Sequence, residues 1–403
     1  MSTAAAGGGD AAARGAWVRG RALRWLAGAV AVLVAARTAL LFAALPVETI
    51  DFQVFHAAAR LTLAGDWPVL FDNAAFAAEH GLSERLRWLY PAHGLLLIAP
   101  LGLMALPTAF VVQGLAGWAL YALAGSWLLR RVAPGAPVAL HVLLAFAPAV
   151  FWPMMVGHPS LFWFAGLMAA LALREGGRSL GAGLLVGLLT IKPSLGVLVG
   201  VALIAARDGR AVGGAVMGAA LAAGLATLAL GVEYWPAYAA KLAEHGGDFA
   251  AGPTPGRDGR LLGMQGLVLS FGGTGQVAAI AHWTVAALAT AAVALAWWRR
   301  ETPACLRLAL LFALIPLVAP SVWFYDAVTL SLAAVFLVAG GAVAAAPLAL
   351  AIAALLYANV LPAFLLGLPA ALASLPAALG ALWLATRGRA ALSRTPASTE
   401  DVP

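Results

Sequence analysis

Residues 179–206 read SLGAGLLVGLLTIKPSLGVLVGVALIAA, and Lys192 carries the only charge in this stretch. The block is apolar on both sides of Lys192-Pro193. A helix needs about 20 apolar residues to cross the hydrocarbon core of a bilayer, whereas each half of this block extends only roughly 20 Å at 1.5 Å per residue. The pattern predicts a short helical hairpin with Lys192 at its tip, below the membrane surface. Irregular backbone at that depth is tolerated only where it lines a polar cavity.

The rest of the chain has the same apolar character. Of its 403 residues, 63% are hydrophobic and 10% are charged, with a mean hydropathy of +0.93. A soluble domain carries about 25% charged residues. The net charge of +7 lies in short basic clusters between apolar runs, which is typical of cytoplasmic loops and not of a nucleic-acid-binding face. The single cysteine, Cys305, excludes an intrachain disulfide. We therefore expect an all-α polytopic membrane protein.

The basic clusters also predict how the chain crosses the membrane. Arginines ahead of the first apolar run place the N-terminus in the cytoplasm. Two interpretations are open for LLLIAPLGLMAL at 95–106, either a full crossing or an interfacial or re-entrant piece. We prefer the second, because every later basic cluster then lies in the cytoplasm. It predicts about twelve crossings (range about 10–12), with both termini cytoplasmic. The crossings are expected at about 25–45, 108–129, 136–153, 160–174, 179–191, 193–206, 211–230, 277–298, 304–319, 325–341, 343–361 and 365–386.

The domain organisation follows from these crossings. We expect disordered cytoplasmic tails at 1–21 and 389–403, and a single transmembrane domain at 22–388 with outer loops at about 46–107 and 231–276. Within the first loop, FQVFHAAARLTLAG has helical apolar spacing, which predicts an interfacial helix. The expected location is the bacterial inner (plasma) membrane.

Under this threading the unusual polar side chains gather at the outer face. Arg37 lies inside the first crossing, about two turns from its outer end. The inner face supplies only arginine clusters and short turns. The candidate site residues of the outer face are Asp51, Tyr90, His93, His158, Lys192, Gln265, Trp323, Tyr325 and Asp326.

Each of these residues also has a purely structural explanation. The two acids could cap or complement helix N-termini, and the lysine and arginine could snorkel to the interface. The histidines could be structural hydrogen-bonding groups, and Trp323 and Tyr325 fit an aromatic belt. The histidines have no acidic partner at a recognisable ligand spacing. No cofactor is therefore predicted, and a divalent metal is left open.

Together the candidate residues indicate a chemistry. A carboxylate such as Asp51 at the outer interface can act as general base on a hydroxyl. Lys192 and Arg37, lower in the same cavity, can hold a phosphate whose lipid chain stays in the membrane. Transfer of a sugar from a polyprenyl phosphate needs this combination, by a single displacement with inversion at the anomeric carbon.

Several motifs occur in an order that resembles the family 87 glycosyltransferases, within the GT-C superfamily of polyprenyl-phosphate-sugar-dependent membrane enzymes. The resemblance covers roughly residues 22–340, and it depends on the order of the motifs and not on any single one. The motifs are DFQVFHAA from Asp51, GDWPVLFD from Gly65, LYPA from Leu89, APL from Ala99, GHPSL from Gly157, IKPS from Ile191 and the run from Ser321 to Asp326.

The resemblance implies that Asp51 is the catalytic base and that Lys192 faces the donor phosphate. The implied partners are a polyprenyl-phosphate sugar donor, a lipid or glycan acceptor and membrane lipids, with no nucleic acid. Three departures from the family pattern occur at Ala92, His158 and 324–326. The last of these argues against mannose, so the donor sugar is expected only to be a hexose or a pentose.

Two other functions compete with sugar transfer. A transporter or flippase of lipid-linked intermediates should place polar residues along both halves of a pathway, often in paired repeats. Here the polar residues gather on one side, and no repeat is visible. A non-catalytic membrane assembly subunit is the third alternative.

Overall fold

A computed structural model describes residues 20–44, 50–254, 256–299, 301–343 and 347–392. The described part consists of helices joined by short loops, with an isolated β-bridge between Leu261 and Trp323, so the predicted all-α class is confirmed. The outermost parts of the two tails lie outside the described residues. In chain order, the α-helices are α1 Arg21–Ala44, α2 Ile50–Ala64, α3 Asn73–His80, α4 Ala92–Ile98, α5 Leu106–Val132, α6 Val138–Ala145, α7 Phe151–Val156, α8 Ser160–Glu175, α9 Ser179–Leu188, α10 Pro193–Ala205, α11 Gly209–Leu230, α12 Tyr234–Ala250, α13 Met264–Ser270, α14 Gly275–Trp298, α15 Ala304–Leu314, α16 Val328–Ala339, α17 Pro347–Ala358, α18 Leu361–Leu365 and α19 Ala371–Leu392.

Five helical segments of the described chain are long and apolar enough to cross a membrane. Shorter apolar helices account for much of the remaining apolar sequence, so the chain is a membrane protein, and the total of about twelve crossings stays a prediction. The five long segments are Arg21–Ala43, Leu106–Val132, Val138–Val156, Gly209–Leu230 and Gly275–Trp298. The shorter ones are Ala92–Leu103, Ser179–Ile191, Pro193–Ala205, Ala304–Leu317, Phe324–Ala339, Pro347–Ala358 and Ala371–Arg387.

The centre of the protein is built by helices that are apolar on every side. Helices α15 and α16 are buried along nearly their whole length, as expected for helices without a polar face. In contrast, α1 exposes most of its large apolar side chains, including Val32 and Leu33. Such an exposed apolar surface is the face that a membrane helix presents to lipid.

Glycines bring α9 and α11 into direct backbone contact. A Cβ atom at Gly183 or Gly187 of α9 would overlap the backbone of α11 at Ala211 or Ala215. The contacts advance in the same direction along both helices, so α9 and α11 run parallel. Helix α10, which connects them in the chain, runs in the opposite direction. Small residues at four-residue spacing are the usual means of close helix contact in membranes.

The chain breaks between α9 and α10, at the position of Lys192. The residues Leu189–Ile191 tighten into a 3₁₀ turn, Lys192 leaves the helical conformation with φ −131° and ψ 74°, and Pro193 begins α10. Proline disfavours helical backbone in the residue that precedes it and is well tolerated in the first turn of a helix. The break therefore follows directly from the Lys-Pro pair, and it leaves the lysine at the end of a short helix.

The segment predicted as the first outer loop folds into a layer of helices against the bundle. Helix α2 covers the stretch with helical apolar spacing, and its placement on the membrane surface stays a prediction. The buried indole of Trp88 donates a hydrogen bond of 2.7 Å to the Tyr234 hydroxyl, which donates in turn to the carbonyl of Tyr90 at 2.8 Å. These bonds connect α12 to the segment before α4 and hold the backbone of Tyr90 in place.

Candidate active site

A buried ion pair lies at the centre of the candidate site. The ammonium of Lys192 donates hydrogen bonds of 2.8 and 2.7 Å to the two carboxylate oxygens of Asp326. The Asp326 side chain is fully buried and that of Lys192 is 13% exposed. Asp326 belongs to the 3₁₀ turn Phe324–Ala327 that leads into α16. The break before α10 and the turn before α16 thus place two charges, distant in sequence, in direct contact.

A chain of polar contacts extends from this ion pair. The Ser160 hydroxyl donates to Oδ1 of Asp326 at 2.6 Å and lies 2.7 Å from Nδ1 of His158. On the other side of the imidazole, Nε2 lies 2.7 Å from the hydroxyl of Tyr90. Burial and the charge of Lys192 hold the pKa of His158 well below its usual range, so the imidazole is neutral at physiological pH. The neutral ring can accept a hydrogen bond at one nitrogen and donate at the other.

Aromatic rings cover this polar chain. The ring of Tyr325 stacks on His158 with 4.1 Å between centroids, and the Lys192 ammonium lies 5.1 Å from the centre of the same ring. Trp323 lies parallel to Tyr325 at 6.3 Å. The backbone of Leu261 pairs with that of Trp323, and Leu262 N–H donates to the carbonyl of Val322 at 2.9 Å. The segment predicted as the second outer loop is therefore attached to the aromatic cover of the site.

Asp51 occupies the first turn of α2 and shares the electrostatic environment of the ion pair. The pKa of Asp51 is raised to about 7, chiefly by burial; Lys192 and Arg260 act to lower it, and Asp326 acts to raise it. Its Oδ2 atom is buried and has no hydrogen-bond partner among the described residues. The protein thus holds a carboxyl group that titrates near neutral pH and is electrostatically coupled to Lys192 and Asp326.

Three of the sequence-predicted residues lie apart from this network. The guanidinium of Arg37 lies over the ring of Phe151, 4.4 Å from its centroid, and its side chain is exposed. His93 contacts the Thr190 hydroxyl through Nε2 at 3.2 Å, beside the turn that carries Lys192. Gln265 is buried in the first turn of α13, and its side chain makes no hydrogen bond with the described residues of the network.

A cavity of about 310 Å³ joins the polar network to the apolar exterior. Tyr90, His158, Ser160 and Lys192 line its polar part. The remaining wall is apolar and includes Leu97, whose side chain is largely exposed on the outside of the protein. The volume lies at the lower end of the range for small-molecule pockets. The wall thus combines a small set of polar side chains with a larger apolar area, so it matches a ligand with a polar head and an apolar tail.

The structure adds three residues that sequence reasoning missed. Ser160 connects His158 to Asp326, and the charge of Arg260 acts on Asp51. Gln113 lines the cavity, where its amide donates to the carbonyl of Gly157 at 2.6 Å and its buried Oε1 has no partner among the described residues. A glutamine inside an apolar helix was the available signal for Gln113. The serine stands in the GHPSL motif, but a single hydroxyl at a helix start is common.

No group of three or more His, Cys, Asp or Glu side chains within the described ranges is arranged to hold a metal ion. The fold and site define a helical membrane protein with a buried carboxylate–ammonium pocket that opens toward an apolar surface. A model of glycosyltransferase family 87 matches residues 88–321, more than half of the chain, and the chain therefore belongs to this family. The match includes Tyr90, His158 and Lys192, whereas Asp51 and Asp326 lie outside it. No curated protein and no solved structure matches the chain. Membership in the family implies glycosyltransferase activity.

Proposed function

We propose that this protein transfers a hexose or pentose from a polyprenyl-phosphate-linked donor to a lipid or glycan acceptor. The reaction takes place at the periplasmic face of the bacterial inner membrane and inverts the anomeric carbon in a single displacement. Asp51 is the general base, and Lys192 binds the donor phosphate. The observation that carries the proposal is the cavity whose wall combines the cation of Lys192 with a mostly apolar lining.

The shape of this cavity suits a lipid-linked sugar phosphate. The phosphate and sugar occupy the end lined by Lys192, Ser160 and Tyr90, and the first isoprenoid units leave past Leu97. Gln113 supports the wall of this cavity, because its side-chain amide donates to the carbonyl of Gly157. The apolar tail thus stays in lipid while the reacting carbon is held in the protein.

The raised pKa of Asp51 suits a general base. A base is most effective when its pKa lies near the working pH, and the pKa of Asp51 is about 7. The carboxylate accepts the proton of the acceptor hydroxyl as the acceptor oxygen forms its bond to the anomeric carbon. The bond between that carbon and the phosphate oxygen breaks, and the electron pair leaves with the polyprenyl phosphate. Atoms and charge balance without any further reactant.

Lys192 stabilises the negative charge of the leaving phosphate. Two of its three ammonium protons are directed to Asp326, so the third is free to contact a phosphate oxygen. Asp326 fixes the position of the ammonium before the donor arrives. A cation that is already oriented stabilises developing charge without a reorganisation cost.

Asp51→Asn tests the proposal most directly. Purified protein in detergent is assayed against a panel of polyprenyl-phosphate sugars, and we expect the variant to lose roughly 10²–10⁴-fold in rate. Asp66→Asn is the matched control, because Asp66 is an exposed acid in the same outer loop, and its activity should be unchanged. The Asp51→Asn variant should remain folded, since replacing a buried carboxyl removes the cost of ionising it.

Each alternative outcome has a definite meaning. Sugar transfer within tenfold of wild type in Asp51→Asn would remove Asp51 as the base. If the wild-type protein transfers no sugar from any donor of the panel but moves the donor across proteoliposome membranes, the protein is a flippase and the proposed function is wrong.

A further inference from the structure

A second polar site lies at the end of the helices opposite Lys192. It is a pocket of about 500 Å³, and we call it the arginine pocket. Helix α10 connects the two sites, and its 13 residues extend over roughly 20 Å. The proposed sugar-transfer reaction makes no use of this pocket. Its main lining residues are Arg174, Arg207, Asp208, Arg210, Trp297 and Arg307.

The acids near the pocket are already neutralised. Asp208 accepts hydrogen bonds from Arg174 at 3.1 Å, from the Ser179 hydroxyl at 2.9 Å and from the backbone N–H of Ala211 at 3.1 Å. Glu175, next to the pocket, lies 3.0 Å from Arg174 and 3.7 Å from Arg307. The four arginines therefore exceed the local acids by two positive charges.

The excess positive charge lies on Arg207 and Arg210. Both side chains are exposed, and neither forms an ion pair with any described residue. The guanidinium of Arg207 stacks on Trp298 at 3.8 Å from the ring centroid, which leaves its N–H groups free at the edge. Both residues stand at the N-terminal end of α11, where the helix dipole adds further positive potential.

Two buried donors in the pocket wall also have no acceptor. The indole N–H of Trp297 and the Nε–H of Arg307 are buried without a hydrogen-bond partner among the described residues. Trp297 itself is 1% exposed. Buried N–H groups are nearly always satisfied by protein, water or ligand. An excess of guanidinium charge, with unsatisfied donors just behind the accessible wall, is typical of a site for an oxyanion, and arginine matches the geometry of phosphate.

The surroundings indicate that the oxyanion belongs to a lipid. Ile204 of α10, Leu295 of α14 and Trp298 are all at least half exposed, at 65%, 50% and 57%. Helices α10 and α14 pack against each other, so these side chains extend the pocket into an apolar surface. Basic pockets between membrane helices recognise anionic lipid headgroups. We propose that the arginine pocket binds the phosphate group of an anionic phospholipid, whose acyl chains lie along α10 and α14.

The experiment compares the full-length protein in detergent with a double variant, Arg207→Asn and Arg210→Gln. Asparagine is chosen at position 207 because that residue has φ 56°, which asparagine tolerates. Arg178→Gln is the control, since Arg178 is an exposed arginine at the same end of the helices that does not line the pocket. Native mass spectrometry measures the affinity for phosphatidylglycerol and for phosphatidylcholine. A thermal-shift assay with added inorganic phosphate tests whether the protein binds the free anion.

We expect wild type to prefer phosphatidylglycerol over phosphatidylcholine. Affinity for the anionic lipid should fall about fivefold per arginine, so about 25-fold in the double variant, and should change less than about twofold in the control. Equal affinity of wild type for the two lipids, or equal loss in the control and the double variant, would overturn the proposal. A response to inorganic phosphate without a lipid preference would assign the pocket to a soluble phosphate and overturn the lipid assignment. None of these results depends on sugar transfer, so failure here leaves the proposed function unaffected.

Discussion

Replacing Lys192 by methionine tests whether the buried ion pair organises the site. The variant leaves the fully buried carboxylate of Asp326 with the Ser160 hydroxyl as its remaining side-chain donor among the described residues. Removing one partner of a buried ion pair costs about 3–5 kcal/mol, because the other charge remains without compensation. We therefore expect Lys192→Met to lower the apparent free energy of unfolding by about that amount and to abolish donor binding.

The reverse variant and the double variant complete a thermodynamic cycle. Asp326→Asn should cost less, about 1–3 kcal/mol, because the partly exposed ammonium of Lys192 can turn toward solvent. The combination of both changes leaves no buried charge and keeps an acceptor for Ser160. It should therefore lie within about 1–2 kcal/mol of wild type, with a coupling energy of at least about 2 kcal/mol.

The matched control is the same substitution at the other lysine of the chain. Lys241 pairs at 2.7 Å with Glu244, whose side chain is 40% exposed. Lys241 is itself buried, but the glutamate can be solvated and keeps its hydrogen bond from Asn73 after the change. Lys241→Met should therefore cost only about 0.5–1.5 kcal/mol. Unfolding is followed by far-UV circular dichroism during titration of mixed micelles with SDS. Equal costs for the two lysine variants, or additive costs in the cycle, would refute the claim that the Lys192–Asp326 pair is buried and coupled.

Three further predictions concern the base, the helix packing and the topology. The pKa of Asp51 is about 7, so its ionised fraction falls as the pH is lowered, and kcat/KM should fall about tenfold per pH unit below 7. A flat profile between about pH 5 and 7 would contradict the assignment of Asp51 as the base. Gly187→Val places a branched side chain against the backbone of α11 and should destabilise the protein by about 1–3 kcal/mol, as measured by SDS titration, whereas Gly181→Ala, with open space at its Cβ position, should not. In a Cys305→Ala background, the Asp66→Cys variant should react with an impermeant maleimide in intact cells. Labelling only after lysis would show that the proposed orientation is wrong.

Several features of the protein could be predicted because they depend on local sequence. The apolar runs indicate membrane helices without reference to any partner, since each run must bury or expose its own side chains. The break at Lys192-Pro193 follows from the stereochemistry of proline, and the structure has it. The motif order pointed to family 87, which the family match confirms. The apolar runs and the helix break are encoded within one or a few turns of chain, whereas the motif order extends along most of it.

The composition of the site depended on contacts that no local pattern encodes. The sequence indicated a polar cluster, but the pairing of Lys192 with Asp326 spans 134 positions. The connecting role of Ser160 arises only because α8 begins beside the turn before α16. The guanidinium of Arg37 lies over Phe151, a contact that no local pattern encodes, and its role at the donor phosphate stays a prediction.

The sequence by itself therefore determined that this is a membrane protein, that it is helical and where its helices must break. Hydropathy and backbone stereochemistry act over short distances. Only the tertiary structure decided which charges meet, which donors are left without acceptors and where the cavity opens. Those properties depend on the relative rotation and depth of packed helices, and a change of one residue in register would direct the same side chains to lipid instead of to each other.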